Sequence, residues 1–258
     1  MLAFFKRWIK AIVYPLYEKR LSQTVKHLSM PKHVGVILDG NRRWAKSSGV
    51  NTEGGHSAGA RKIDDLLTWC DEYGIEHVTL WMLSTDNFSR DESELSSLLR
   101  IVTEAIEHLA DSWRLYFVGS LEVLPIWMRD RLTNAIKQST QNSSGPLVNV
   151  AIGYGGRQEI SDAVRALLKE HDAQGRSLSA VADLLTPDHI SEHMYTKGQP
   201  DPDLIIRTSG EQRLSGFLLW QSAHSEYYFC EAFWPDFRRI DFLRAVRAFA
   251  LRSRRFGS

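Results

Sequence analysis

The sequence predicts an α/β fold, a single domain with a mainly parallel central sheet of about six strands flanked by helices. Three observations lead there. Short apolar runs at 33–38, 77–83, 114–118, 147–152, 204–206 and 227–230 recur along the chain as buried strands would. Longer stretches with apolar residues at helical spacing separate most of them, and strand–helix alternation is what a parallel sheet requires. Several runs also stop abruptly in polar clusters, which places chemistry at the carboxyl rim, where open α/β sheets bind ligands.

At 258 residues and 43% hydrophobic content the chain can bury one full core. A net charge of +1 argues against a nucleic-acid partner, so any anion site must be local. The two cysteines, Cys70 and Cys230, sit among apolar or aromatic neighbours and read as buried, reduced thiols of a cytoplasmic protein rather than a disulfide or zinc site.

Residues 1–30 form an amphipathic N-terminal segment, and residues 31–258 the main domain. In the first sixteen, Leu2, Phe4, Phe5, Trp8, Ile9, Ile12 and Val13 mix with Lys6, Arg7 and Lys10. The segment is too short and too charged to span a bilayer and lacks a secretory cleavage site. Two readings stay open: peripheral contact with anionic lipid at the inner face of the cell membrane, or packing on protein. Pro15 is expected to kink or end the helix.

The next stretch, H-V-G-V-I-L-D-G-N-R-R-W-A at 33–45, is a buried strand that delivers Asp39, Gly40, Asn41, Arg42 and Arg43 to the rim. Gly40 permits close backbone approach, and Arg42 and Arg43 can fork onto phosphate oxygens. A carboxylate among phosphate ligands makes sense if it holds Mg2+, which binds one or two carboxylates plus substrate phosphates. On this stretch alone a solvated turn explains the residues equally well.

Ile63, Leu66, Leu67 and Cys70 then give a helix stopped by Gly74. The strand at 77–83 runs into Ser84, Thr85, Asp86 and Asn87. Leu95, Leu98, Leu99, Val102, Ile106 and Leu109 make an amphipathic helix, followed by a strand at 114–118, a helix at 126–141 and a loop at 141–146. The strand at 147–152 enters G-Y-G-G, and Ile160, Ala163, Val164, Leu167 and Leu168 give another helix. Residues 171–202 read as a polar connector with a short helical piece near 187–195. The strand at 204–206 ends in Arg207, another follows at 227–230, and Phe242, Ala245, Val246 and Phe249 make the last helix before a basic tail at 252–255.

The last polar cluster is D-L-I-I-R-T-S-G-E-Q-R-L-S, where Arg207, Arg213 and Ser215 can clamp a diphosphate. A surface salt-bridged loop is the plainer alternative. Glu226, just before Y-Y-F, suits a second metal carboxylate, though a lone Glu before a strand is usually solvated.

Five ordered segments resemble the cis-prenyltransferases, the family of undecaprenyl diphosphate synthase: the 33–45 stretch, G-H-S-A-G around His56, S-T-D-N-F-S-R at 84–90, G-Y-G-G-R at 153–157, and I-R-T-S-G-E-Q-R-L-S-G-F-L-L-W-Q with Glu226 after it. The similarity spans nearly all of 31–256. It implies a homodimeric, Mg2+-dependent enzyme that condenses isopentenyl diphosphate with an allylic diphosphate, forms a cis double bond and releases diphosphate. Asp39 matches the family's metal-binding catalytic aspartate. Gly40, Asn41, Arg42, Arg43, Trp44 and His56 match the allylic-diphosphate pocket, and Arg207, Arg213, Leu214 and Ser215 the isopentenyl-diphosphate clamp. Glu226 matches a second metal ligand supplied near the partner subunit. Ser84, Thr85, Asp86, Asn87, Phe88 and Arg90 match the segment that closes over the substrates, with Asn87 usually given the proton-accepting role.

Two departures stand out. Thr52 occupies the place of a common phosphate-binding arginine, and Phe88 that of a tryptophan. Bulky Met82, where long-chain members resemble one another in a small residue, and a 90–119 stretch shorter than in undecaprenyl synthases are similar to the short-chain branch that makes Z,E-farnesyl diphosphate from geranyl diphosphate. A medium or long product, and a non-catalytic subunit, are the alternatives. An aspartate-rich trans-prenyltransferase is disfavoured because Asp64 and Asp65 are followed by Leu66, Leu67 and Thr68. A nucleotide-binding protein is disfavoured by the missing phosphate-loop and dinucleotide spacings.

Overall fold

The computed structural model describes residues 2–141 and 144–252, with side chains from Tyr14 onward. The strands are β1 (His33–Ile37), β2 (His77–Ser84), β3 (Arg114–Val118), β4 (Leu147–Tyr154), β5 (Leu204–Arg207) and β6 (Glu226–Phe229). They form one parallel sheet in the order β3-β4-β2-β1-β5-β6, as the strand–helix alternation predicts. β1 is buried along its whole length, between Val78 of β2 opposite Val34 and Ile206 of β5 opposite Val36.

The helices are α1 (Leu2–Val25), α2 (Asn41–Ser48), α3 (Thr52–Glu72), α4 (Glu92–Ala110), α5 (Ile126–Ser139), α6 (Gly156–Ala173), α7 (Leu178–Leu184), α8 (Pro187–Ser191) and α9 (Arg239–Leu251). The larger core joins Val34, Val36, Val78, Leu80 and Val150 of the sheet to Ile63 and Leu66 of α3, Leu98 and Val102 of α4, and Phe242 of α9. A smaller core on the opposite face gathers Ile37, Val118, Ala151 and Ile205 around Phe217 and Leu218.

Four elements show features that the sequence alone does not display. α1 passes through Pro15 without ending. Its second half is anchored by tertiary contacts that outweigh the proline: Leu21 and Val25 are buried, Ser22 Oγ and Tyr73 Oη lie 2.7 Å apart, and Arg238 and Arg244 stack on Tyr14 and Tyr17. The aromatic and basic side chains of residues 1–13, and the tail beyond residue 252, lie outside the described residues.

The rim stretch after Asp39 is not a loop but the start of α2, entered through Gly40 in the left-handed region (φ 108°), where a β-carbon would also strike Phe233. The connector at 171–202 contains α7, unforeseen, besides the expected α8. In β2, register shifts against β4 between Trp81 and Leu83 break the simple alternation, so Leu83 joins Val78 and Leu80 in the larger core instead of sharing Trp81's face.

The amino ends of the strands hold a buried polar chain. His33 Nδ1 donates to the Pro200 carbonyl (2.7 Å), which leaves Nε2 to accept from the Thr79 hydroxyl (2.8 Å). The Asn149 amide in turn donates to that hydroxyl (2.9 Å). Cys70 and Cys230 are free and buried, as expected. Among the described residues no helix is long and apolar enough to cross a membrane.

Candidate active site

The site lies where the strand order turns. From β1 the chain proceeds to β2 on one side, while β5 has inserted on the other, so the connections leaving β1 and β5 diverge and open a crevice at their carboxyl ends. Asp39 enters from the first and Arg207 from the second. Thr208 locks the aspartate's backbone, accepting from its N–H (3.0 Å) and donating to its carbonyl (2.7 Å).

Arg207 is buried and makes the central contacts. Its Nη2 donates to Asp39 Oδ2 (2.8 Å), and its Nη1 donates to Ser215 Oγ (3.0 Å) and to the Arg213 carbonyl. Ser209 and Ser215 both hold left-handed backbone (φ 82° and 52°), uncommon for residues other than glycine and typical of constrained functional loops. Ser209 accepts from Arg43 Nη2 (2.6 Å), which places that guanidinium 3.6 Å from Asp39. Burial works against ionising Asp39, but hydrogen bonds from Arg207 and Ser209 and the charges of Arg207 and Arg43 outweigh it and hold the carboxyl below its ordinary range.

A second charged group faces this one. Arg90 Nη1 donates to Glu94 Oε1 (2.9 Å), and Arg42 Nη1 and His56 Nε2 each lie 3.8 Å from that same oxygen. His56 is buried on α3, and burial, then the charge of Arg90, lower its pKa although Glu94 opposes them. Its Nε2 finds no hydrogen-bond partner, and neither do the buried Asn41 Oδ1 and Arg207 Nε. Orphaned atoms of this kind mark a site built for a ligand.

Between the two groups opens a cavity of about 410 Å³. Its polar end brings together Asp39, Asn41, Arg42, His56, Ser84, Asp86, Asn87, Arg90, Arg207, Arg213 and Ser215. Its apolar end runs between β2 and the helices α3 and α4, lined by Ile63, Met82, Leu98, Ile101, Val102 and Ala105. In the 3-10 turn Thr85–Ser89, Asn87 Oδ1 accepts from the Ser84 N–H (2.9 Å).

Other candidates stand beside the cavity. Gly40 caps α2, Arg43 works through Asp39 and Ser209, and half-buried Trp44 on α2 does not line the cavity. Thr85 borders an adjoining cleft with Gly155 and Arg157, while Phe88 and Leu214 pack on the two cores. Thr52 simply opens α3, capped by Asn51. Within one chain Glu226 is the first residue of β6, at the strand end away from Arg207, where Arg252 pairs with it. It does not approach Asp39's cavity.

The sequence reading overlooked Glu94, Ser209, Trp81 and Trp234. Trp234 is fully buried and donates from Nε1 to the Gly59 carbonyl (2.7 Å), closing the cavity's side. The only signal for Glu94 was its spacing of four from Arg90 on a helix face.

A rim of arginines and carboxylate over an apolar channel defines a class: proteins that take an amphiphile with an oxyanion head and an apolar tail. Comparison with known proteins gives the family. Residues 37–257 match the family described as putative undecaprenyl diphosphate synthase, so the chain belongs to the undecaprenyl diphosphate synthase family, the cis-prenyltransferases. It is 56% identical over 247 residues to the (2Z,6E)-farnesyl diphosphate synthase of Thermobifida fusca, covering 95% of this chain and 97% of that one. It is 53% identical over 252 residues to isoprenyl transferase 1 of Streptomyces avermitilis, covering 97% and 98%. Among solved structures, lavandulyl diphosphate synthase from Lavandula x intermedia, in complex with dimethylallyl diphosphate, superposes with a TM-score of 0.81 at 32% identity, covering 89% of this chain and 99% of that one.

Proposed function

We propose that this prenyltransferase joins isopentenyl diphosphate to a short allylic diphosphate, geranyl diphosphate by preference, and releases a Z-configured short-chain product such as Z,E-farnesyl diphosphate. The observation that carries the reading is the joining of two cationic groups to one apolar channel that Met82 helps to line. Two neighbouring diphosphate sites are what a condensation between two diphosphate esters needs, because proximity must bring the alkene against the allylic carbon. Overpacking a longer chain against Met82 would cost roughly 1–3 kcal/mol.

In the reaction the allylic carbon–oxygen bond breaks, a carbon–carbon bond forms to the terminal alkene carbon, and a proton leaves the isopentenyl unit. Charge grows on the departing diphosphate, so Arg42, Arg90 and His56 stabilise the transition state more than the ground state. Arg207, Arg213 and Ser215 hold the second diphosphate. Asn87 accepts from the Ser84 N–H with its carbonyl oxygen, which fixes the amide and keeps its NH2 for a substrate oxygen, and an amide is in any case a poor base. We therefore assign it an orienting role, with a diphosphate oxygen or water taking the proton.

Asp39 would hold Mg2+. Its half-exposed carboxylate, set beside Arg207 and Arg43 at the cavity's polar end, fits an ion bound by one carboxylate and substrate phosphates. When bound, the ion neutralises charge on the leaving diphosphate. A metal role for Glu226 requires a second copy to present it, so that role and the homodimer reading stand together. Membrane contact falls to residues 1–13, since α1 from Tyr14 onward is docked on α9 and α3. Sedimentation of the protein alone and flotation with anionic vesicles test these two readings; a monomer, or no co-flotation, removes the respective one.

The deciding experiment for the reaction is to incubate the protein with Mg2+, labelled isopentenyl diphosphate and each short allylic diphosphate, then size the products. A fifteen-carbon product from geranyl diphosphate is expected. Chains of ten or eleven isoprene units would overturn the short-chain reading while leaving the family intact.

A further inference from the structure

Arg42, Arg90 and His56 come from three different helical regions, yet their nitrogens converge on one oxygen, Glu94 Oε1. Three cationic or donor groups around a single anionic oxygen are the arrangement an oxyanion site requires. Here the oxyanion belongs to the protein itself. It fills the position imperfectly: only Arg90 is at hydrogen-bonding distance (2.9 Å), while Arg42 and His56 stop at 3.8 Å. Glu94 is tethered in the first turn of α4 and comes no closer to the others. The consequence is visible at His56, 7% exposed, whose buried Nε2 is left without a hydrogen bond at the cavity wall.

We propose that Glu94 is a built-in counter-ion that occupies the allylic-diphosphate site of the empty enzyme and must yield its cations when substrate binds. This rests on the reading of Arg42, Arg90 and His56 as that site. A diphosphate is untethered, so its oxygens can reach Arg42 and His56 at hydrogen-bonding distance where the carboxylate cannot. Until it arrives, Glu94 keeps Arg42 and Arg90, whose like charges repel, gathered at one place. The exchange lowers the net gain on binding and eases release of the diphosphate product from the same cations. Glu94 thus sets affinity without touching the reacting carbons.

The test compares wild type with Glu94→Gln and with a control, Glu92→Gln. Glu92 lies in the same first turn of α4 and is exposed, so its loss reports the effect of one charge near the helix start. Glutamine keeps the size of the side chain and a hydrogen-bond acceptor for Arg90. Titration with geranyl diphosphate and with inorganic diphosphate, both without isopentenyl diphosphate, should show Glu94→Gln binding about three- to tenfold tighter, the scale of one or two part-buried ion pairs. KM for the allylic substrate should fall with it, while kcat stays level or drops as product diphosphate lingers. A merely structural glutamate would raise KM or lower thermal stability instead. Equal or weaker binding in Glu94→Gln, or the same tightening in Glu92→Gln, overturns the proposal and leaves the functional reading in place. A wild type that binds neither diphosphate would overturn both.

Discussion

Asp39 and Arg207 are 168 residues apart in sequence and 2.8 Å apart in the fold, and each depends on the other for its state. The arginine is buried and would be left uncompensated without the carboxylate, while the carboxylate is kept ionised by the arginine. Two substitutions separate chemistry from stability. Asp39→Asn should keep the shape and lower turnover by about a hundredfold or more, because it removes the carboxylate proposed to hold the metal that acts on developing charge. Asp39→Ala should lose turnover to the same extent and cost a further ~1–3 kcal/mol of stability through the stranded Arg207. Steady-state turnover and urea midpoints decide both; near-normal turnover in either variant would refute the assignment. Asp39 and Arg207 were legible in the sequence because each comes at the end of a run of apolar residues, where a charged side chain has no packing reason to be. Glu94 was not, since a glutamate in a helix's first turn is the most ordinary of solvated residues.

At the level of elements, the bulge in β2 matters most. A regular strand would set Met82 and Leu83 on opposite faces, whereas the shifted register sends Leu83 into the larger core and keeps Met82, half-buried, at the wall of the cavity. Met82→Ala should therefore open the apolar end and yield longer prenyl products from excess isopentenyl diphosphate, with little effect on the first addition. Chromatographic sizing checks it, and an unchanged product would move length control elsewhere along the channel. The bulge was invisible in H-V-T-L-W-M-L-S because every residue in it suits a buried strand on either face. α2 escaped for the reverse reason: N-R-R-W-A-K-S-S buries only Ala45 and so carries no apolar period. That α1 continues past Pro15 was not legible, because the contacts that hold its second half come from the end of α3 and from α9, far along the chain.

For the molecule as a whole, the polar chain beneath the sheet sets an acid limit. Burial, only partly opposed by the bond to Pro200, lowers His33 from the ordinary 6.5 to about 4, and its Nε2 already accepts from Thr79, leaving no place for a second proton. The unfolded chain takes up that proton below pH 6.5 and the folded one only near pH 4. Stability from this group is therefore full above pH 6.5 and falls as pH drops between those values. His56 and His77, also lowered chiefly by burial, act in the same direction. Urea midpoints measured from pH 7 to pH 4 should decline, and the His33 ring signals should not titrate until the acid end; a ring that titrates near 6.5 would exclude the role. The parallel order of the sheet has a further meaning for how the protein is made. β5 slots beside β1 only after four strands and eight helices have left the ribosome, and at roughly 5–20 residues per second the 168 residues from Asp39 to Arg207 take on the order of 10–30 s to emerge. For that interval the nascent chain exposes one open edge of β1, a strand buried along its whole length in the finished fold, together with an unpaired aspartate. Catalytic competence and protection from aggregation thus arrive in a single late event, the docking of a four-residue strand.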